Sequence, residues 1–127
     1  MKSLPRTACS LIALGLIFTA NIKQVSANEA QAHVGHVMLK WGDTPQNIGL
    51  LPVTIAEAKV ARTHAKLAAS DLNNLGSMQL HAHHVLHALD PALEAKGPGK
   101  GYGLKKAADG VATHAQLASV SEDASDV

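Results

Sequence analysis

The chain has 127 residues, eight histidines, a single cysteine, three aromatic residues and a formal charge of +1 with histidine counted neutral. That length sets one domain as the expectation. The 11 basic and 10 acidic residues leave no basic patch of the kind nucleic acid needs. Strands favour β-branched and aromatic side chains; aromatics are nearly absent here, while alanine, the strongest helix former, is abundant, so the expected class is all-α.

In chain order, "MKSLPR" brings Lys2 and Arg6 without an acid, and "TACSLIALGLIFTA" is a short apolar run. Val25 and Ala27 then stand at the −3 and −1 positions of a cleavage site. This is the pattern of a secretory signal peptide over residues 1–27. The apolar run falls short of the ~20 residues a membrane span needs, and Cys9 precedes it rather than sitting where a lipoprotein cysteine would. Cleavage after Ala27 predicts an exported protein, periplasmic in a bacterium or otherwise extracellular, with no stable membrane insertion. The remaining 100 residues carry 8 basic and 10 acidic groups and no cysteine, which excludes disulfides and thiolate metal sites.

Four helices are predicted in the remainder. The first covers 28–41, and "GDTPQNIGLLP" follows as a loop. The second starts near Pro52, acceptable in a first turn, and runs to 69. "SDLNN" is a short turn with Ser70 or Asp71 as N-cap. The third helix covers 72–89, with Pro91 just beyond it. "KGPGKGYG" is a glycine-rich loop, the fourth helix covers 104–120, and the polar residues 121–127 form a disordered tail.

Two phrases recur. "THAKLAAS" and "THAQLASV" lie fifty positions apart and set His64 on His114, Leu67 on Leu117 and Ala58 on Ala108. "HVGHVM" and "HAHHVL" lie 48 positions apart and set His33 on His81. The expected architecture is an antiparallel four-helix bundle over 28–120, built from a duplicated αα-hairpin.

The histidines are the candidate site. At about 100° per residue, His64 falls within the apolar stripe of Val53, Ala56, Val60, Leu67 and Ala68. His114 falls within that of Leu104, Ala107, Val111 and Ala118. The duplication predicts that these two face one another across the core as a buried site for a metal or a haem iron, with His33 and His81 as the nearest further ligands. Glu57, two turns before His64, is placed to orient it from behind. The plain alternative is that each inward imidazole bonds a carbonyl or a water. On the third helix, whose apolar stripe is Leu75, Met78, Ala82, Val85 and Leu89, His81 borders the stripe, while His83, His84 and His87 lie beyond it in water. Their i, i+3 and i, i+4 spacings put them ~5–6 Å apart at Cβ, close enough for an outer metal site. The first helix repeats this more thinly, with His33 at the border and His36 beyond. The plain alternative for the outer histidines is that they only titrate.

Without thiolates, imidazole sites suit Cu(II), Ni(II) and Zn(II). Met38 and Met78 offer Cu(I) donors, but as members of apolar stripes they read as core filler. No nucleophilic triad, HExxH motif or phosphate-binding loop can be assembled, so no enzyme is expected. With its signal peptide, its Ala/His-rich helices and the runs "HVGH" and "HAHHVLH", the chain resembles small exported histidine-rich helical bundles. That resemblance implies binding of a divalent transition metal as a buffer, sensor or chaperone. In overall plan it is also similar to periplasmic haem-binding bundles. The motif CxxCH is absent, which leaves non-covalent bis-histidine ligation of haem b as the form of that alternative. A ligand-free helical module that binds another protein is the third.

Overall fold

A computed structural model describes residues 28–126; the expected signal peptide lies outside the described residues. Four α-helices and no strands are found among them: α1 (Glu29–Met38), α2 (Leu50–Ala68), α3 (Leu75–Leu89) and α4 (Leu104–Val120). The all-α expectation holds, and the helices form a bundle in which α3 packs on α2, α2 on α4 and α4 on α1.

The helix ends follow local chemistry. Asn28 caps α1, its side-chain oxygen accepting the Gln31 N–H at 2.6 Å. The helix stops at Met38 rather than near residue 41, and Trp41 N–H turns to the Ile48 carbonyl instead. Thr44, buried, closes this loop by donating its hydroxyl to the carbonyls of Trp41 and Ile48. Gly49 then passes so close to α1 that a Cβ there would lie 2.5 Å from the Met38 carbonyl carbon. Helix α2 therefore starts at Leu50, with Pro52 inside its first turn. The expected cap at Ser70 or Asp71 moves to Asn74, whose side chain accepts the Ser77 N–H at 3.0 Å, because residues 71–74 first make their own turn. Beyond α4, Ala124–Asp126 make a 3-10 turn, and Asp123 accepts the Ala30 N–H at 3.1 Å.

The core is small. Leu50 and Val53 of α2 meet Ala107 of α4 and Tyr102 of the preceding loop, with Trp41, Ile48 and Val111 packed around them. Glu57 is wholly buried beside this core and organises the loop before α4. Its Oε1 accepts the N–H groups of Lys100 (3.1 Å), Tyr102 (3.1 Å) and Gly103 (3.4 Å). Gly99, at φ 124°, lies against Oε2 with no room for a side chain. Glu57 does not orient His64 as its place two turns earlier predicts; its hydrogen bonds go to the loop, because three convergent N–H donors are the better partners for a buried carboxylate.

The inner face of α3 is rotated from the expected stripe. Leu75 and Leu89 are exposed, while Met78, His81, His84, Val85 and Ala88 turn inward. Hydropathy alone misplaced this face because the imidazoles themselves belong to it.

Candidate metal centres

Two groups of three histidines come together, the first bridging the first and last helices and the second bridging the successive helices α2 and α3. His33 and His36 of α1 meet His114 of α4, and His81 and His84 of α3 meet His64 of α2. Within each group, one ring nitrogen of every residue lies within 4.8 Å of the others. All six residues are half-buried.

The i, i+3 spacing of "HVGH" and of the first and last histidines of "HAHH" sets two rings side by side on one helix. The histidine of "THA" on the partner helix comes in across the helix–helix seam. The two groups match closely. In the first, ring centroids are 5.8 Å apart for His33–His36, 5.1 Å for His33–His114 and 4.8 Å for His36–His114. In the second, the same distances are 5.8 Å for His81–His84, 5.1 Å for His64–His81 and 4.6 Å for His64–His84.

The nitrogens converge at chelating distances. His33 Nδ1 lies 2.9 Å from His114 Nδ1, His64 Nδ1 lies 2.9 Å from His81 Nδ1, and His84 Nδ1 lies 3.2 Å from His64 Nδ1. Two nitrogens each ~2.0–2.1 Å from one ion would sit about 2.9 Å apart at a right angle and about 3.3 Å apart at the tetrahedral angle. The donor spacing therefore fits a single small cation held on one side by three imidazoles. His36 adds a second observation: its Nδ1 is buried and makes no hydrogen bond. A buried polar nitrogen without a partner is costly, and a cation at the centre of the group is a partner it could take.

Electrostatics agree. The His64 pKa is lowered first by burial and then by charge on His84 and His81. The His114 pKa is lowered first by burial and then by charge on His36 and His33. Both rings are thus held toward the neutral form, the one that binds a metal.

The expected pairing of His64 with His114 is corrected. Each meets a histidine pair from its own packing partner, because α2 packs on α3 and α4 on α1, and the two join different groups. Nor do His83, His84 and His87 act together. His84 joins the second group, whereas exposed His83 pairs with Glu94 at 2.6 Å. His87 is buried, not wet, and its Nδ1 bonds the Glu94 carbonyl at 2.8 Å. Its ring packs against Gly97, where a Cβ would fall 2.6 Å from the His87 Cβ. The loop after α3 thus folds back over two histidines that helix geometry alone leaves facing solvent. Met38 is half-exposed rather than core filler.

Two neighbours were not legible beforehand. Trp41 packs edge-on against two rings of the first group, with centroids 4.8 Å from His36 and 4.7 Å from His114. Its only sequence signal is that the chain's single tryptophan follows the first histidine helix. Glu94, the partner of His83, carries no signal beyond its charge.

No helix among the described residues is long and apolar enough to cross a membrane. Comparison of the chain with protein families, with curated proteins and with solved structures finds no match.

Proposed function

We propose that this chain is an exported, non-enzymatic metal-binding protein. It carries one divalent transition-metal ion at each of two three-histidine sites and serves as a buffer, sensor or chaperone for that ion. The observation that carries the reading is the twofold convergence of imidazoles across a helix–helix seam, with nitrogens 2.9–3.2 Å apart. One such meeting is an ordinary core contact; two built alike, with no thiolate or carboxylate among the three donors of either, form a donor set suited to Cu(II), Ni(II) or Zn(II). Three protein nitrogens leave at least one coordination position open, through which an ion can be passed on.

We also infer that the sites arose by duplication of an αα-hairpin. Carrying α1 onto α3 and α4 onto α2 carries His33, His36 and His114 onto His81, His84 and His64. The close agreement of ring spacings supports this.

Haem is the weaker alternative. An iron between two imidazoles needs nitrogens about 4 Å apart, on opposite faces of the porphyrin, for bonds of ~2.0–2.1 Å each. The paired nitrogens here are 2.9 Å apart, with no room for a macrocycle between them.

Titration calorimetry and native mass spectrometry of the purified protein with Zn(II), Ni(II) and Cu(II) test the reading. Two ions per chain are expected. A His33→Ala/His36→Ala/His114→Ala variant should bind one, and a variant that also lacks His64, His81 and His84 should bind none. Two ions retained by that sixfold variant, or none bound by the native chain, would overturn it.

A further inference from the structure

We propose that the two sites are unequal and fill in order: the group of His33, His36 and His114 binds the first ion, and the group of His64, His81 and His84 the second. This rests on the two-site reading and adds a rank that the similar ring spacings do not suggest.

The difference lies in what each group must give up. In the second group His64 Nδ1 meets both neighbours, His81 at 2.9 Å and His84 at 3.2 Å. That nitrogen shares its single proton or lone pair between the two, and no ring nitrogen of this group is buried without a partner. A Nδ1–H···Nδ1 contact needs one ring protonated at Nδ1, whereas a metal needs a lone pair at every donor. Loading this group therefore breaks two contacts and moves the protons they use to the outer ring nitrogens. In the first group only His33 and His114 are so joined, at 2.9 Å. His36 Nδ1 is buried with nothing to bond. Here an ion displaces one contact and relieves an unmet polar atom. The cost of such an atom corresponds to about five- to hundredfold in an equilibrium constant.

Trp41 adds to the same bias. Its ring, with those of His36 and His114, makes a three-ring cluster whose centroids are all 4.7–4.8 Å apart. Two of the three donor rings are thus held in place before an ion arrives. Rings held in advance lose less freedom on binding. Among the described residues the second group has no such neighbour, because Trp41 and Tyr102 are the only Phe, Trp or Tyr there, and Tyr102 sits in the core with Leu50.

Trp41 is also the chain's only tryptophan, so it reports on the first group alone. Zn(II), which has no redox chemistry to confuse the signal, is titrated into the native protein under a competing chelator while tryptophan emission and bound metal are followed together. Emission should change with the first equivalent and stay flat through the second. His64→Ala, which keeps the first group, should bind its one ion about tenfold or more tighter than His114→Ala, which keeps the second. His81→Ala and His33→Ala form a second pair should either variant fail to fold. Trp41→Leu should narrow the gap between the sites without removing an ion. Two ions bound with equal affinity, or emission that changes only with the second equivalent, would overturn the order and leave two sites standing. No ion bound at all would remove both the order and the two-site reading.

Discussion

The backbone N–H of Tyr102 donates to Oε1 of Glu57 across 45 positions of sequence, in a hydrogen bond of 3.1 Å buried from solvent. The same oxygen takes the N–H groups of Lys100 and Gly103. One carboxylate on α2 thereby shapes the glycine-rich loop that leads into α4, the helix that carries His114. Tyr102 in turn donates its hydroxyl to Asp43 at 3.1 Å, and Lys106 pairs with Asp43 at 2.8 Å. The end of the loop that leads into α4 is thus tied to α2 through Glu57 and to the segment after α1 through Asp43.

Glu57→Ala should therefore leave three N–H groups facing an apolar void. A loss of about 3 kcal/mol is expected from unmet buried donors, which for a domain of this size lowers Tm by roughly 12–24 °C. Glu57→Gln keeps an acceptor oxygen and should lose less than half of that. Thermal unfolding by circular dichroism measures both; an alanine variant as stable as the native chain would refute the role given to this carboxylate. Gly99→Ala should also destabilise, because its φ of 124° disfavours any side chain and Glu57 occupies the space.

Stability without metal should fall in mild acid. The His64 and His114 pKa values are lowered in the fold by burial and then by the flanking rings, whereas in the unfolded chain each is ~6.5. Between the folded and unfolded values the unfolded chain holds more protons, so falling pH favours unfolding. The stability is fully present above the unfolded value, begins to drop near pH 6.5, and is spent once the pH has passed below the folded values. Urea midpoints measured from pH 8 to pH 5 should decline across that window. In a His64→Gln/His114→Gln variant the decline should flatten. A native chain whose midpoint does not change over this range would contradict the placement of the two rings.

His83 and His87 separate structural histidines from those of the two proposed metal sites. His83 is 60% exposed at its side chain and pairs with a Glu94 carboxylate that is itself at the surface. Such exposed pairs contribute little, so His83→Ala should change neither stability nor stoichiometry appreciably. The pairing with His83 does lower the Glu94 pKa, and NMR titration should show that value return toward normal in the variant. His87→Ala removes a buried ring and its bond to the Glu94 carbonyl, and should cost about 2 kcal/mol while both ions still bind. Loss of an ion in either variant would return these residues to the metal sites.

The sequence showed the helices and the importance of histidine more readily than it showed which histidines meet. α4 appears where periodicity put it, from Leu104 to Val120. The phrase around His64 and His114 correctly singled out two inward rings. The partners were missed because helix-wheel reasoning knows the face of one helix and not the neighbour it packs on. Repetition suggested that equivalent residues meet each other, whereas His114 meets His33 and His64 meets His81. α3 misled for a different reason. Imidazole ranks as polar, so Leu75 and Leu89 drew the inner face toward themselves, although His81 and His84 lie on it. His87 was out of reach of any such reasoning, since a backbone carbonyl brought round by the loop at Glu94 buries it.

Metal removal should be visible in stability, and site by site. An ion that binds the folded chain alone stabilises it by RT ln(1 + [L]/Kd), about 2.7 kcal/mol at a free concentration a hundred times Kd. In the unfolded chain, His33 and His36 are separated from His114 by some eighty residues, so the three-nitrogen site has no counterpart there. Adding Zn(II) at such an excess over both sites should therefore raise stability by roughly twice that figure, and excess chelator should return it to the metal-free value. A His33→Ala/His36→Ala/His114→Ala variant should gain only half as much. The gain should also shrink below pH 6.5, because protons compete for the same nitrogens. Chemical unfolding with and without Zn(II), at pH 7.5 and pH 5.5, measures all four quantities. The same Zn(II) gain in this variant as in the native chain would show that the ion acts elsewhere than at these three imidazoles.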